Sequence, residues 1–246
     1  MKKHSIVATL FFICFSFISM YSFSQNMTAD TTLANQYFDL ANKNENDSKF
    51  DTAIYYAEKA QTLNIKYFGE KSIKSANGSS ILGRLCWLNG KYDLALVYHF
   101  KALQIRKEIL GEKHPDIAAS YNNIGNVYDD KGEYDKALEY HFKALQIRKE
   151  TLGEKHSDIA ESYNNIGIVY DEKGEYDKSL EYHFKALQIR NEILGEKHPD
   201  AAKSYINIGN VYYDKGEYDK TLKYYFKALE ILKEILGEKH PAVATN

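Results

Sequence analysis

Apolar positions along this chain recur with two superposed periods. The short one is helical. Tyr134, Ala137, Leu138, His141, Ala144, Leu145 and Leu152 advance by threes and fours, while Asp135, Lys136, Glu139, Lys143, Gln146 and Glu150 fall on the opposite face at ~100° per residue. The long period is 42 residues. Tyr121–Leu152 and the GEKHS that follows return one period later and, less cleanly, one period earlier, and GEK begins at Gly69, Gly111, Gly153, Gly195 and Gly237. A constant period of this size predicts stacked supersecondary units in place of one globular core.

Each period predicts two helices. Pro115 suits a first helical position, where a missing N–H costs nothing, and Asp116 complements the positive end of the helix dipole. Gly132, repeated as Gly90, Gly174 and Gly216, predicts a stop near Lys131. The second helix is expected from about Glu133 to Leu152. The units run over about 34–67, 76–109, 118–151, 160–193 and 202–235. A partial sixth is begun by HPAVATN at 240–246, which matches HPDIAAS at 114–120. The first unit is the most eroded and has the polar connector NKNENDSK; the second has Ser79 where later units have tyrosine, and carries the lone tryptophan, Trp87.

The N-terminus breaks the pattern. Lys2, Lys3 and His4 precede an apolar run from Ile6 to Met20, followed by Ser22 and Ser24 ahead of Gln25. A basic start, an apolar run short of the ~20 residues a membrane span needs, and small residues at −3 and −1 predict a signal peptide over 1–24. The expected destination is export, periplasmic or secreted, with a membrane anchor if cleavage fails. Residues 25–33 form a polar lead-in, and the repeat array fills 34–246.

Composition narrows the classes. With 32 basic and 34 acidic side chains, 21 tyrosines, 12 phenylalanines and three prolines, the chain has material for a continuous core and no bulk charge to draw it to nucleic acid. After cleavage only Cys86 remains, so an internal disulfide or a cysteine zinc site is impossible. GRLCWLNG around it reads as helix interior.

Two antiparallel helices per unit with small residues at their crossings resemble the tetratricopeptide repeat. The motif positions are Tyr121, Ile124, Gly125, Tyr128, Ala137, His141 and Ala144, then Tyr163, Ile166, Gly167, Tyr170, Ser179, His183 and Ala186, then Tyr205, Ile208, Gly209, Tyr212, Thr221, Tyr225 and Ala228. The 42-residue spacing and the GEKHP linker are similar to the kinesin-light-chain type. His99, His141 and His183 depart from the usual Tyr or Phe. The resemblance implies an all-α, right-handed α-solenoid, and a concave groove, lined by the first helices, that binds peptides.

Candidate chemistry is sparse. His114, His156, His198 and His240 repeat, but successive units lie ~10 Å apart, and zinc needs ligands ~2 Å away; these residues read as loop or helix-start residues. No nucleophile–base pair, phosphate loop or calcium loop emerges, so neither catalysis nor a cofactor is expected. Arg106, Arg148 and Arg190 lie inside the apolar arc of the second helix and read as aliphatic stems on the core. The informative polar face is on the first helix. Asn122, Asn123 and Asn126, with Asn164, Asn165, Asn207 and Asn210, are the expected groove contacts, since an amide both donates to and accepts from an extended peptide backbone. Asp129, Asp130, Asp171, Glu172 and Asp214 lie on or beside the same wall and predict a bias toward basic peptides. The expected role is a non-enzymatic protein-binding scaffold. The alternative is the sensor half of a signalling protein with a histidine kinase, a DNA-binding regulator or a caspase-like peptidase downstream. The apolar second helix of the last full unit, with Leu222, Tyr225, Leu229, Leu232 and Leu236, predicts self-association.

Overall fold

The computed structural model describes residues 27–237. The expected signal peptide and the start of a sixth unit lie outside them. Every regular element among the described residues is a helix. Helix α1 covers 27–46, and it is followed by α2 Phe50–Phe68, α3 Ile73–Leu88, α4 Tyr92–Leu110, α5 Pro115–Asp130, α6 Tyr134–Leu152, α7 Ser157–Glu172, α8 Tyr176–Leu194, α9 Pro199–Asp214 and α10 Tyr218–Leu236. The helices form stacked antiparallel pairs, and none of them is long and apolar enough to cross a membrane.

The three-residue turn from Lys131 to Glu133 shows how the pairing arises. The Gly132 N–H donates to the Asp129 carbonyl at 2.7 Å and the Glu133 N–H to the Tyr128 carbonyl at 2.9 Å. This double bond closes a helix only if the residue between adopts a left-handed conformation, and Gly132 has φ +72°. A turn this short leaves α6 no course but back along α5. The first unit makes the same turn with Ser48 at φ +57°, a residue that bears a steric cost glycine avoids.

The chain divides into two compact units, 1–105 and 106–246. In the first, Gln61 of α2 is buried and donates from Nε2 to the Ser75 carbonyl at 3.0 Å and to Ser79 Oγ at 3.2 Å. The tyrosine found at the place of Ser79 in later repeats would remove that hydroxyl acceptor. Cys86 is fully buried, and burial pushes its thiol up to about 11, so it is no nucleophile at neutral pH.

In the second unit the core repeats with the sequence. Leu138 and Leu145 of α6 pack with Ile159, Ile166 and Val169 of α7. One repeat on, Leu180 and Leu187 of α8 pack with Ala201, Ala202, Ile208 and Val211 of α9. Tyr128 stacks on Tyr140 at 5.5 Å, Tyr170 on Tyr182 at 5.5 Å and Tyr212 on Tyr224 at 5.4 Å.

Polar rungs accompany the apolar ones. His114, His156 and His198 cap their helices, each accepting at Nδ1 from the backbone N–H two residues on, at 3.1–3.2 Å. Arg148 Nη1 donates to the Asp158 carbonyl and to Ser162 Oγ, both at 2.8 Å, and Arg190 reaches Ser204 Oγ at 2.6 Å. The arginines therefore do more than lay a stem on the core: they fasten each second helix to the next first helix.

Candidate functional site

Helices α5, α7 and α9 are each 16 residues long and share one register. Their inner side is set by Ile124, Ile166 and Ile208, all fully buried, and by a glycine one residue later. A Cβ on Gly125 would stand 2.7 Å from His141 Cε1, and one on Gly167 would stand 2.8 Å from His183 Cε1. Glycine thus lets each imidazole lie against the neighbouring backbone. Burial and the nearby Arg148 hold His141 down at about 4, and burial and Arg190 do the same for His183. Nδ1 of each is buried without a hydrogen-bond partner. In the next repeat Tyr225 takes this place, and its hydroxyl donates to Asn210 Oδ1 at 2.7 Å.

The opposite side carries the polar rows. Asn165 Nδ2 donates to Asn122 Oδ1 at 3.0 Å, and Asn207 Nδ2 donates to Asn164 Oδ1 at 2.7 Å. These pairs tie α5 to α7 and α7 to α9, which also approach each other directly. Asn122 is buried, with 7% exposure. Asn165 and Asn207 are therefore not free amides in a row: one donor of each, and one acceptor of Asn122 and Asn164, is already used between repeats. The offset of 43 residues, one period plus one, is the only trace of this in the sequence. Asn123 and Asn126 are half-buried and Asn210 is exposed. Ile168 interrupts that row with 38% exposure.

The carboxylates lie together. Asp130, Glu172 and Asp214 are exposed at equivalent places, with Asp129 and Asp171 half-buried beside them. Burial, then Asp130 and Glu172, pushes Asp129 up to about 6; burial, then Asp214 and Glu172, pushes Asp171 up to about 6. The Oδ1 atoms of both are buried without a hydrogen-bond partner. Among the described residues no lysine or arginine forms an ion pair with Asp129, Asp171, Glu172 or Asp214, although nearly every other part of the surface is laced with such pairs. A cationic group arriving here would meet charges that the fold leaves uncompensated. The fifth unit puts Tyr213, 58% exposed, at the place of Asp129 and Asp171.

Among the described residues no three His, Cys, Asp or Glu side chains are placed to hold a metal ion.

The profile of a family described as "Tetratricopeptide repeat" matches residues 76–150, 116–192, 158–220 and 200–246. No curated protein matches the sequence. Among solved structures, BtubC (BKLC) from P. vanneervenii is similar with a TM-score of 0.73 and 25% identity over 86% of this chain and 84% of that one. A Podosopora anserina protein with nearly identical TPR-like repeats has a TM-score of 0.72 at 18% identity, over 84% of this chain and 97% of its own. The apo form of RapI has a TM-score of 0.65 at 25% identity, and this chain spans 53% of its length.

Proposed function

Because the chain belongs to the tetratricopeptide repeat family, a non-catalytic, protein-binding scaffold fold, we propose that it holds an extended, basic peptide segment along the first-helix face of α5, α7 and α9. The observation that carries this reading is the carboxylate wall. Asp129 and Asp171 are held up at about 6, so their ionised forms cost the fold at neutral pH, and a lysine or arginine of a partner would offset that cost. Asn123, Asn126 and the Nδ2 group of Asn210 remain to meet the peptide backbone, Asn210 Oδ1 being taken by the Tyr225 hydroxyl. The 42-residue period supports the kinesin-light-chain type of the repeat. The N-terminal pattern supports export, and sequencing of the mature protein should begin at Gln25; an intact Met1 on a cytosolic chain would overturn that assignment.

The test uses the three exposed carboxylates of the wall. Asp130→Asn, Glu172→Gln and Asp214→Asn are combined and titrated against a peptide library in which lysine and arginine are varied against glutamine. Exposed charge pairs contribute about 0.2–1 kcal/mol each, so affinity for basic peptides should fall together by about 3- to 100-fold, with melting recorded beside it. Equal affinity of wild type and triple variant removes the wall from the account.

A further inference from the structure

The first helices of the second unit set a fixed step along the groove. Asp130 closes α5, Glu172 closes α7 and Asp214 closes α9, and all three are exposed. Adjacent helices of this set are near enough for Asn165 to bond Asn122 and for Asn207 to bond Asn164. Their carboxylates sense each other across the same gap: Glu172 acts on Asp129, and Asp214 on Asp171. Helices in contact lie ~8–10 Å apart, so one exposed carboxylate follows the next at about that step. The lysine after each carboxylate is engaged elsewhere. Lys131 Nζ meets Glu133 at 3.1 Å, while Lys173 Nζ meets Asp135 and Lys215 Nζ meets Asp177, both at 2.6 Å. Ile168 of α7 and Tyr213 of α9 add apolar points to this polar face, 38% and 58% exposed.

That step selects a peptide backbone. A β-strand advances ~3.3 Å per residue and points alternate side chains to opposite faces. Its same-side residues recur at about 6.6 or 13 Å, and neither matches. A polyproline II helix has three residues per turn and advances ~3.1 Å per residue, so every third side chain returns to one side after about 9.3 Å. Its backbone groups are not bonded to one another and are open to the amides of Asn123 and Asn126. An α-helix returns to one side every seven residues, after ~10.5 Å, but its backbone groups are bonded internally and cannot use the asparagines. Resting on the basic-peptide reading of the groove, we infer that the segment held there is a polyproline II stretch with lysine or arginine at i, i+3 and i+6. The three cations meet Asp130, Glu172 and Asp214 in turn. Prolines between them lie against Ile168 and Tyr213, as proline-rich segments lie on exposed aromatic side chains generally.

The probes are fluorescent peptides titrated with the full chain at low salt. Two have one composition, lysines and prolines in equal numbers, with the lysines at i, i+3 and i+6 in the first and at i, i+2 and i+4 in the second. The first should bind about 2- to 30-fold tighter, the contribution of the two exposed charge pairs that the wrong step forfeits. Glycine in place of its prolines should weaken it, because the cost of ordering the backbone returns. The preference for the first peptide should vanish in the chain carrying Asp130→Asn, Glu172→Gln and Asp214→Asn. Equal affinity for both spacings, each weakened by the triple variant, overturns the inference and leaves the groove a binder of basic peptides. Tighter binding of a helical peptide with lysines at i, i+7 and i+14 overturns it in the same way. Binding of no basic peptide, or binding that the triple variant leaves unchanged, overturns both the inference and the reading it rests on.

Discussion

His141 illustrates what one side chain decides. It sits against Gly125 with 1% exposure and is held down at about 4, against 6.5 for a free imidazole. Between those values the unfolded chain binds a proton that the folded chain refuses, so stability rises with pH across this window and is lost as pH falls from about 6.5 toward 4. The difference is on the order of 3 kcal/mol at 1.36 kcal/mol per unit. Asp129 and Asp171 act in the opposite sense. Held up at about 6, they stabilise the fold below the ordinary carboxylate range and lose that contribution as pH rises through 6. Calorimetry between pH 4 and 8 should therefore show His141→Tyr more stable than wild type at pH 5 and little changed at pH 7.5. A tyrosine already occupies this place as Tyr225, bonded to Asn210, and Asn126 stands where Asn210 does. His183→Tyr should be less stable than His141→Tyr by about 0.5–1.5 kcal/mol, the net worth of one hydrogen bond, because Ile168 stands there and leaves the hydroxyl to solvent. Equal behaviour of the two variants at all pH values would refute this account of the site.

At the scale of the element, each helix is held by what its neighbours present as much as by its own amphipathicity. Arg148 belongs to α6 by sequence, yet its guanidinium is spent on the Asp158 carbonyl and Ser162 of α7. Hydrogen bonds to a charged donor contribute about 1.5–3 kcal/mol. Arg148→Leu should therefore lower the urea midpoint by that amount in free energy with an unchanged m-value, even though leucine is native at the equivalent Leu232. A neutral result would reduce the arginine to a packing stem. The same scale revises the amide ladder. Because Asn165 and Asn207 bond across repeats, replacing them removes inter-helix bonds, and any effect on peptide binding would be confounded with that loss. For this reason the exposed carboxylates are the cleaner instrument for testing the groove.

For the whole molecule, a formal charge of −2 conceals a local asymmetry, since five carboxylates of α5, α7 and α9 gather on one face of the second unit. Exposed charges are screened beyond about 8–10 Å at physiological salt. The binding of a basic peptide should accordingly weaken as salt rises, and the triple carboxylate variant should show a flatter salt dependence than wild type. Parallel slopes in the two proteins would mean that the peptide's charges are read elsewhere.

The sequence by itself determined the helices, their pairing and their stacking. A 42-residue period, a 3.6-residue apolar stripe and a glycine at each turn are local signals, each specifying backbone geometry within a few residues. It also showed which residues face away from the core, Asn123 and Asp130 among them. What it left open were the relations between side chains a full period apart. Whether Asn165 meets a peptide or Asn122, whether Arg148 meets solvent or Ser162, and whether Asp129 stands alone or beside Glu172 all depend on the rise and rotation from one helix pair to the next. Those quantities are set by the packing of Leu138, Leu145, Ile159 and Ile166. Only the tertiary structure brings such residues together, and so only it shows that Asn165 and Asn207 bond across repeats and that Asp129 and Asp171 lie among further carboxylates.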